Sequence, residues 1–150
     1  MSKVIACPVP EESLLAGFGD AGDYRDSFAR DVPGEVTLAE LIERFYCSPA
    51  FRPERVVLGL IGHGASNEDA RRLARGEADG IAVWKVVQRR EREILLDAPS
   101  TGTASWLAVE PLATGTRLKF GTWVGNIDRS GWRAMQLAHE VYSKVLLGAV

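Results

Sequence analysis

The sequence predicts an α+β domain in which a curved antiparallel sheet wraps around a long C-terminal helix. Three observations predict it. Residues Asp128 to Leu147 read as one amphipathic helix. Four short apolar runs separated by turn residues come directly before it. Earlier still, one strand-like run is followed by segments with helical patterning. Strands first, helices in between and strands again is the order of an α+β protein. The 150 residues make a single domain of ordinary size, large enough for a real core. Residues 1–21 form an irregular lead to it.

Each element has a local cause. In the lead, Glu11–Ala16 is a short helical stretch at most. Tyr24 to Val32 reads as a strand: Tyr24, Phe28 and Val32 share one parity, with Arg25, Ser27 and Asp31 opposite. Pro33-Gly34 ends it as a turn. Thr37 followed by Glu40 is a capping box, and Leu38, Leu41, Ile42, Phe45 and Tyr46 give the helix behind it an apolar face. Ser48-Pro49 stops that helix. A second helix is expected over Pro53–Ile61, ended by Gly62 and Gly64. A third starts at Ser66, with Asp69 three residues on, and ends at Gly76.

The period then changes. Ile81–Arg90, Glu93–Asp97, Thr103–Glu110 and Thr116–Val124 are short runs broken by Arg90–Arg92, by 98–102 and by 111–115. Breaks this short allow only antiparallel neighbours, because parallel strands need long crossovers. In the last run, Leu118, Phe120, Thr122 and Val124 alternate with Arg117, Lys119 and Trp123, so one face should be mostly wet.

At about 100° per residue, Trp132, Met135, Ala138, Val141, Tyr142, Val145 and Leu146 of the closing helix fall in one half of the wheel. Arg133, Gln136, Glu140, Ser143 and Lys144 fall in the other, where Leu137 and Leu147 break the pattern. His139 lies near the edge of the apolar arc, one turn from Met135 and Tyr142. Asp128 or Ser130 can cap the start, and Gly148 is a natural stop.

Composition narrows the function classes. Hydrophobic content is 46%, charged content 25% and net charge −2. The first fifty residues carry four basic and nine acidic groups, and no basic surface is concentrated enough for nucleic acid. Arg89, Arg90 and Arg92 are interleaved with Glu91 and Glu93, as at a solvated hairpin tip. No apolar run approaches the roughly 20 residues of a membrane span. The first residues are too short and too acidic for a signal peptide. Cys7 and Cys47 give no disulfide framework, so a reducing, cytoplasmic setting is expected.

Two passages carry a resemblance. Asp23-Tyr24-Arg25-Asp26-Ser27-Phe28 and the terminal helix, with Gly131-Trp132 and His139, resemble a bacterial family known only as a domain of unknown function. That family lies within the START-like (SRPBCC, helix-grip) superfamily. The likeness spans roughly residues 22–149. The chain departs from it at Leu137-Ala138, where the family has a proline, and at Gly59-Leu60-Ile61-Gly62, where it has an Arg-Asn step. The resemblance implies a helix-grip (START-like) fold with a pocket between sheet and helix, and no established activity.

The candidate chemistry is correspondingly limited. Gly17-Phe18-Gly19-Asp20-Ala21-Gly22 spells the dinucleotide fingerprint, but that motif works only after a strand and at a helix start. Here the order is reversed, and a flexible loop is expected. Gly62-His63-Gly64 suits a mobile acid/base group or a helix-end histidine. The two histidines lie far apart in sequence and no zinc-ligand spacing is present, so no metal and no cofactor are expected. Neither Gly-x-Ser-x-Gly nor HExxH occurs. Asp26 and Arg30 flank Phe28 on one strand face, where they could pair or one could meet a ligand charge, and a surface ion pair is expected.

Four tryptophans supply large apolar surfaces. Trp84 shares its parity with Ala82 and Val86, and Trp106 with Ala104 and Ala108. Small neighbours leave room for other side chains or for a ligand. The expected function is binding of a small hydrophobic or amphipathic molecule. Trp84, Trp106, Phe120 and Met135 would form its apolar walls, and His139 and Tyr142 its polar contacts. One alternative is a cyclase, dehydratase or isomerase using His139 as acid or base. The other is a non-catalytic module in which the sheet pairs two copies as a homodimer.

Overall fold

The computed structural model describes residues 3–47, 67–81, 84–99, 102–125, 143–148 and 150. The expected helix over Pro53–Ile61, His63 and most of Asp128–Leu147 lie outside the described residues.

Along the chain the elements are β1 (Ile5–Ala6), β2 (Tyr24–Pro33), α1 (Leu38–Tyr46), α2 (Asn67–Ala74), β3 (Gly80–Ile81), β4 (Trp84–Arg89), β5 (Glu93–Ala98), β6 (Thr103–Leu112) and β7 (Gly115–Val124). The strands form one open antiparallel sheet in the order β1-β2-β7-β6-β5-β4-β3. The protein is therefore α+β, as the element order predicts. The expected Ile81–Arg90 strand is two strands, because Ile81 pairs with Trp84 and the chain doubles back. Both sheet edges are two-residue strands.

The start of α1 and the end of α2 fall where their local signals lie. Thr37 accepts a hydrogen bond from the Glu40 amide at the start of α1. After α2, Gly76 takes φ +77, its amide donates to the Leu73 carbonyl, and the Glu77 amide donates to that of Arg72. That pair of bonds is a Schellman stop, which needs a residue at ease with positive φ. Arg89 of β4 adds to it, donating to the carbonyls of Leu73 at 2.9 Å and Ala74 at 2.7 Å.

The helices cover one face of the sheet. Phe28, Phe120, Leu107 and Ile94 form a row across β2, β7, β6 and β5, and all four are buried. Phe45 of α1 lies against Phe120 with ring centroids 4.9 Å apart. Leu41, Ile42, Leu73, Leu146 and Leu147 complete this helix-side core. Each such side chain contributes about 1.5–3 kcal/mol by leaving water.

Residues 143–148 are helical, but the buried arc is turned from the one the wheel predicts. Ser143, Leu146 and Leu147 are buried, while Val145 is 53% exposed. Leu147 was expected on the polar side and packs inward instead. Lys144 stays outside, its ammonium 5.8 Å from the centre of the Phe28 ring.

The opposite face is only half wet. Asp31 pairs with Arg117, and Lys119 with Glu110, as expected of a solvated surface. At the other end the lead folds over the sheet. Leu14 and Leu15 pack on Leu95, Ala104, Trp106 and Ala108, with Val9, Phe18 and Trp123 at the margin. The Glu11–Ala16 stretch forms turns rather than a helix. Ser13 explains this locally: its hydroxyl donates to the Pro10 carbonyl at 2.6 Å and accepts from the Ala16 amide. Such side-chain bonds compete with the helical pattern.

Candidate functional site

Two residues along β2 from Phe28, the helix-side face changes character. The next row across the sheet is Asp26, Thr122, Ser105 and Leu96. Alternate residues of a strand share a face, so this row points the same way as Phe28, Phe120, Leu107 and Ile94. Opposed side chains across an antiparallel pair stand about 5 Å apart at Cβ. A carboxylate and two hydroxyls are thus lined up across three strands, beside an apolar core.

Tyr24 extends the polar patch, its hydroxyl donating to Asp26 Oδ2 at 2.8 Å. Thr122 is 5% exposed, and its Oγ1 makes no hydrogen bond among the described residues. A buried hydroxyl without a partner costs about 1–3 kcal/mol, and such groups are rare enough to need a cause. Chemically, the row offers an acceptor at Asp26 and two hydroxyls that donate or accept.

The predicted site residues are distributed as follows. Phe120 is buried in the helix-side core, and Trp84 packs half-buried against its border. Trp106 is on the other face, under the lead. Its indole N–H donates to Glu93 Oε1 at 3.1 Å, and the same oxygen accepts from the Leu14 amide at 2.6 Å. Ala104 and Ala108 leave room beside Trp106 for Leu14 and Leu15, not for a ligand. The structure therefore brings Phe120 and Trp84 to one face and separates Trp106 from them. Met135, His139 and Tyr142 lie outside the described residues.

Tyr24, Ser105 and Thr122 were missed as site residues. The sequence does contain one signal for them: between Leu118 and Val124, Thr122 is the one hydroxyl in the otherwise apolar parity Leu118, Phe120, Val124. Asp26 was expected to pair with Arg30. Instead Arg30 reaches the chain end, Nη1 donating to the carbonyls of Gly148 at 2.9 Å and Val150 at 3.1 Å.

The glycine-rich stretch 17–22 wraps the Arg25 guanidinium. Arg25 donates to the carbonyls of Leu15, Phe18, Asp20 and Asp23. The Asp20 amide, which a phosphate would need, donates to Asp23 Oδ2 at 2.8 Å. Among the described residues, no three of His, Cys, Asp and Glu converge to hold a metal ion. No described helix is long and apolar enough to cross a membrane.

Comparison with protein-family models, with curated proteins and with solved structures finds no match to this chain.

Proposed function

We propose that the domain binds a small amphipathic molecule between the helix-side face of the sheet and the C-terminal helix, in a helix-grip arrangement. The observation that carries this reading is the Thr122 hydroxyl, buried on an apolar face with no hydrogen-bond partner among the described residues. A ligand's polar head at the Asp26–Thr122–Ser105 row gives that hydroxyl the partner it lacks. The Asp26 carboxylate repels an anionic head, so a neutral hydroxyl or amide that can both donate and accept is the fitting chemistry. The apolar part lies against the aromatic side of the face near Phe120, with Met135, His139 and Tyr142 contributed by the C-terminal helix. Affinity comes from burial, at roughly 25 cal/mol per Å² of apolar area removed from water.

Native mass spectrometry of the protein and of a Thr122→Val variant tests this. Valine keeps the shape and removes the hydroxyl. The wild type should carry a bound small molecule that the variant loses, while the variant unfolds at the same or a higher denaturant concentration. A wild type that shows only the mass of the bare chain, or a variant that keeps the adduct in equal proportion, overturns the reading.

A further inference from the structure

An opening lies at the far end of the strands, where β2 hands over to α1. It is a cleft of about 750 Å³ between the start of α1, the β4–β5 turn and the β6–β7 turn. Small-molecule sites span about 300–1,000 Å³. Thr122 and Thr116 mark the two ends of β7 and are six residues apart, so at 3.3 Å per residue the cleft is about 20 Å from the polar row.

The cleft is built rather than incidental. Its floor is apolar: Val36, Leu38 and Val109 are buried, and Leu112 adjoins them. One wall is the strap 34–36, held down by a buried hydroxyl. Thr116 Oγ1 accepts from the Val36 amide at 3.0 Å and donates to the Gly34 carbonyl at 2.8 Å. Gly34 makes the turn at φ +80.

The donors at the rim have one sign. The first amides of a helix have no intrahelical acceptor. In α1, a nine-residue helix, Thr37 takes up the Glu40 amide, and those of Leu38 and Ala39 find no acceptor among the described residues. Both residues line the cleft. Arg92 lines it too; it is exposed and makes no ion pair among the described residues. Its backbone is pinned, because the Val109 amide donates to its carbonyl at 2.9 Å. Arg89 is already committed to the end of α2. Glu35 and Glu91 share the rim and work against a multiply charged anion.

We infer that this cleft is a separate binding site for a small monocarboxylate with an apolar body. The body lies on Val36, Leu38, Val109 and Leu112. The carboxylate accepts from the Leu38 and Ala39 amides and from the Arg92 guanidinium, a charge-assisted pattern that a neutral or cationic head cannot make.

The test is a titration of the full chain, followed by backbone amide NMR, with three compounds sharing one apolar body: 4-phenylbutyrate, 4-phenyl-1-butanol and 4-phenylbutylamine. Phenylbutyrate should shift the Leu38 and Ala39 amides saturably, and the other two should bind at least about tenfold more weakly. Arg92→Gln, at an exposed position, should weaken phenylbutyrate by about tenfold and leave the fold intact. The site is refuted if those amides do not move up to the solubility limit, if the alcohol or the amine binds as well as the acid, or if Arg92→Gln binds as tightly as wild type. Shifts confined to Ser105 and Thr122 also refute it and place the compound at the polar row.

Discussion

Trp106 and Phe120 face opposite sides of the sheet: Trp106 is paired with Gly121 and Phe120 with Leu107 in neighbouring rows of the β6–β7 ladder. One belongs to the core under the lead and the other to the core under the helices. Trp106 is therefore a structural residue. Trp106→Phe removes the indole donor from Glu93 and should cost about 1–3 kcal/mol in urea unfolding. It should leave small-molecule binding unchanged. Loss of binding with an unaltered stability would put Trp106 back in a site.

Gly121 shows how closely the lead is seated. A Cβ there would stand 2.8 Å from the Asp26 carbonyl oxygen and 2.9 Å from Trp106 Cε3, with Leu15 Cδ2 nearer still. The carbonyl belongs to the paired strand and cannot move aside. Gly121→Ala should destabilise the domain by about 1–3 kcal/mol and make the lead more sensitive to limited proteolysis. Wild-type resistance would mean that the lead does not pack on this face.

Arg30 ties β2 to the end of the chain through the carbonyls of Gly148 and Val150. Arg30→Met keeps the apolar stem and removes both bonds. Hydrogen exchange at residues 146–148 should accelerate, with a stability loss of about 1–2 kcal/mol. Unchanged exchange there would show that the terminal segment is held by Leu146 and Leu147 alone.

Asp31 supplies a pH dependence of known sign. The hydrogen bond from Arg117, at 2.7 Å, holds its carboxyl below the ordinary value of 3.8. A carboxyl depressed in the folded state stabilises the fold above its unfolded pKa. That stability is lost as pH falls through the folded value. The pair is on the surface, so the effect is small and weakens with salt. In Arg117→Gln, NMR titration of Asp31 should give a higher pKa than in wild type. An unchanged value would show that Arg117 does not set it.

Much of the fold was legible because it rests on local chemistry. The caps at Thr37 and Gly76 and the turns between β5, β6 and β7 are spelled in adjacent residues. The rest depends on partners far apart in sequence. Leu14, Leu15 and Phe18 follow no period, and only the sheet they land on makes them a core. Ala104 and Ala108 beside Trp106 looked like space, and the lead fills it. The one mark of the reversal is Gly80, where a Cβ would collide with the Trp84 carbonyl oxygen, and no glycine or proline stands between Ile81 and Trp84. The polar row was hidden because its members come from β2, β6 and β7, and only register aligns Asp26 with Thr122 and Ser105.

The central claim is that the Thr122 hydroxyl is partnered by a ligand. A crystal structure of the protein as purified, with difference density calculated before any ligand is built, tests it most directly. The account predicts density larger than a water within hydrogen-bonding distance of Thr122 Oγ1, continuing along the helix-side face toward Phe120. A single water at that hydroxyl, or side chains packed over it with no unassigned density, would contradict the account.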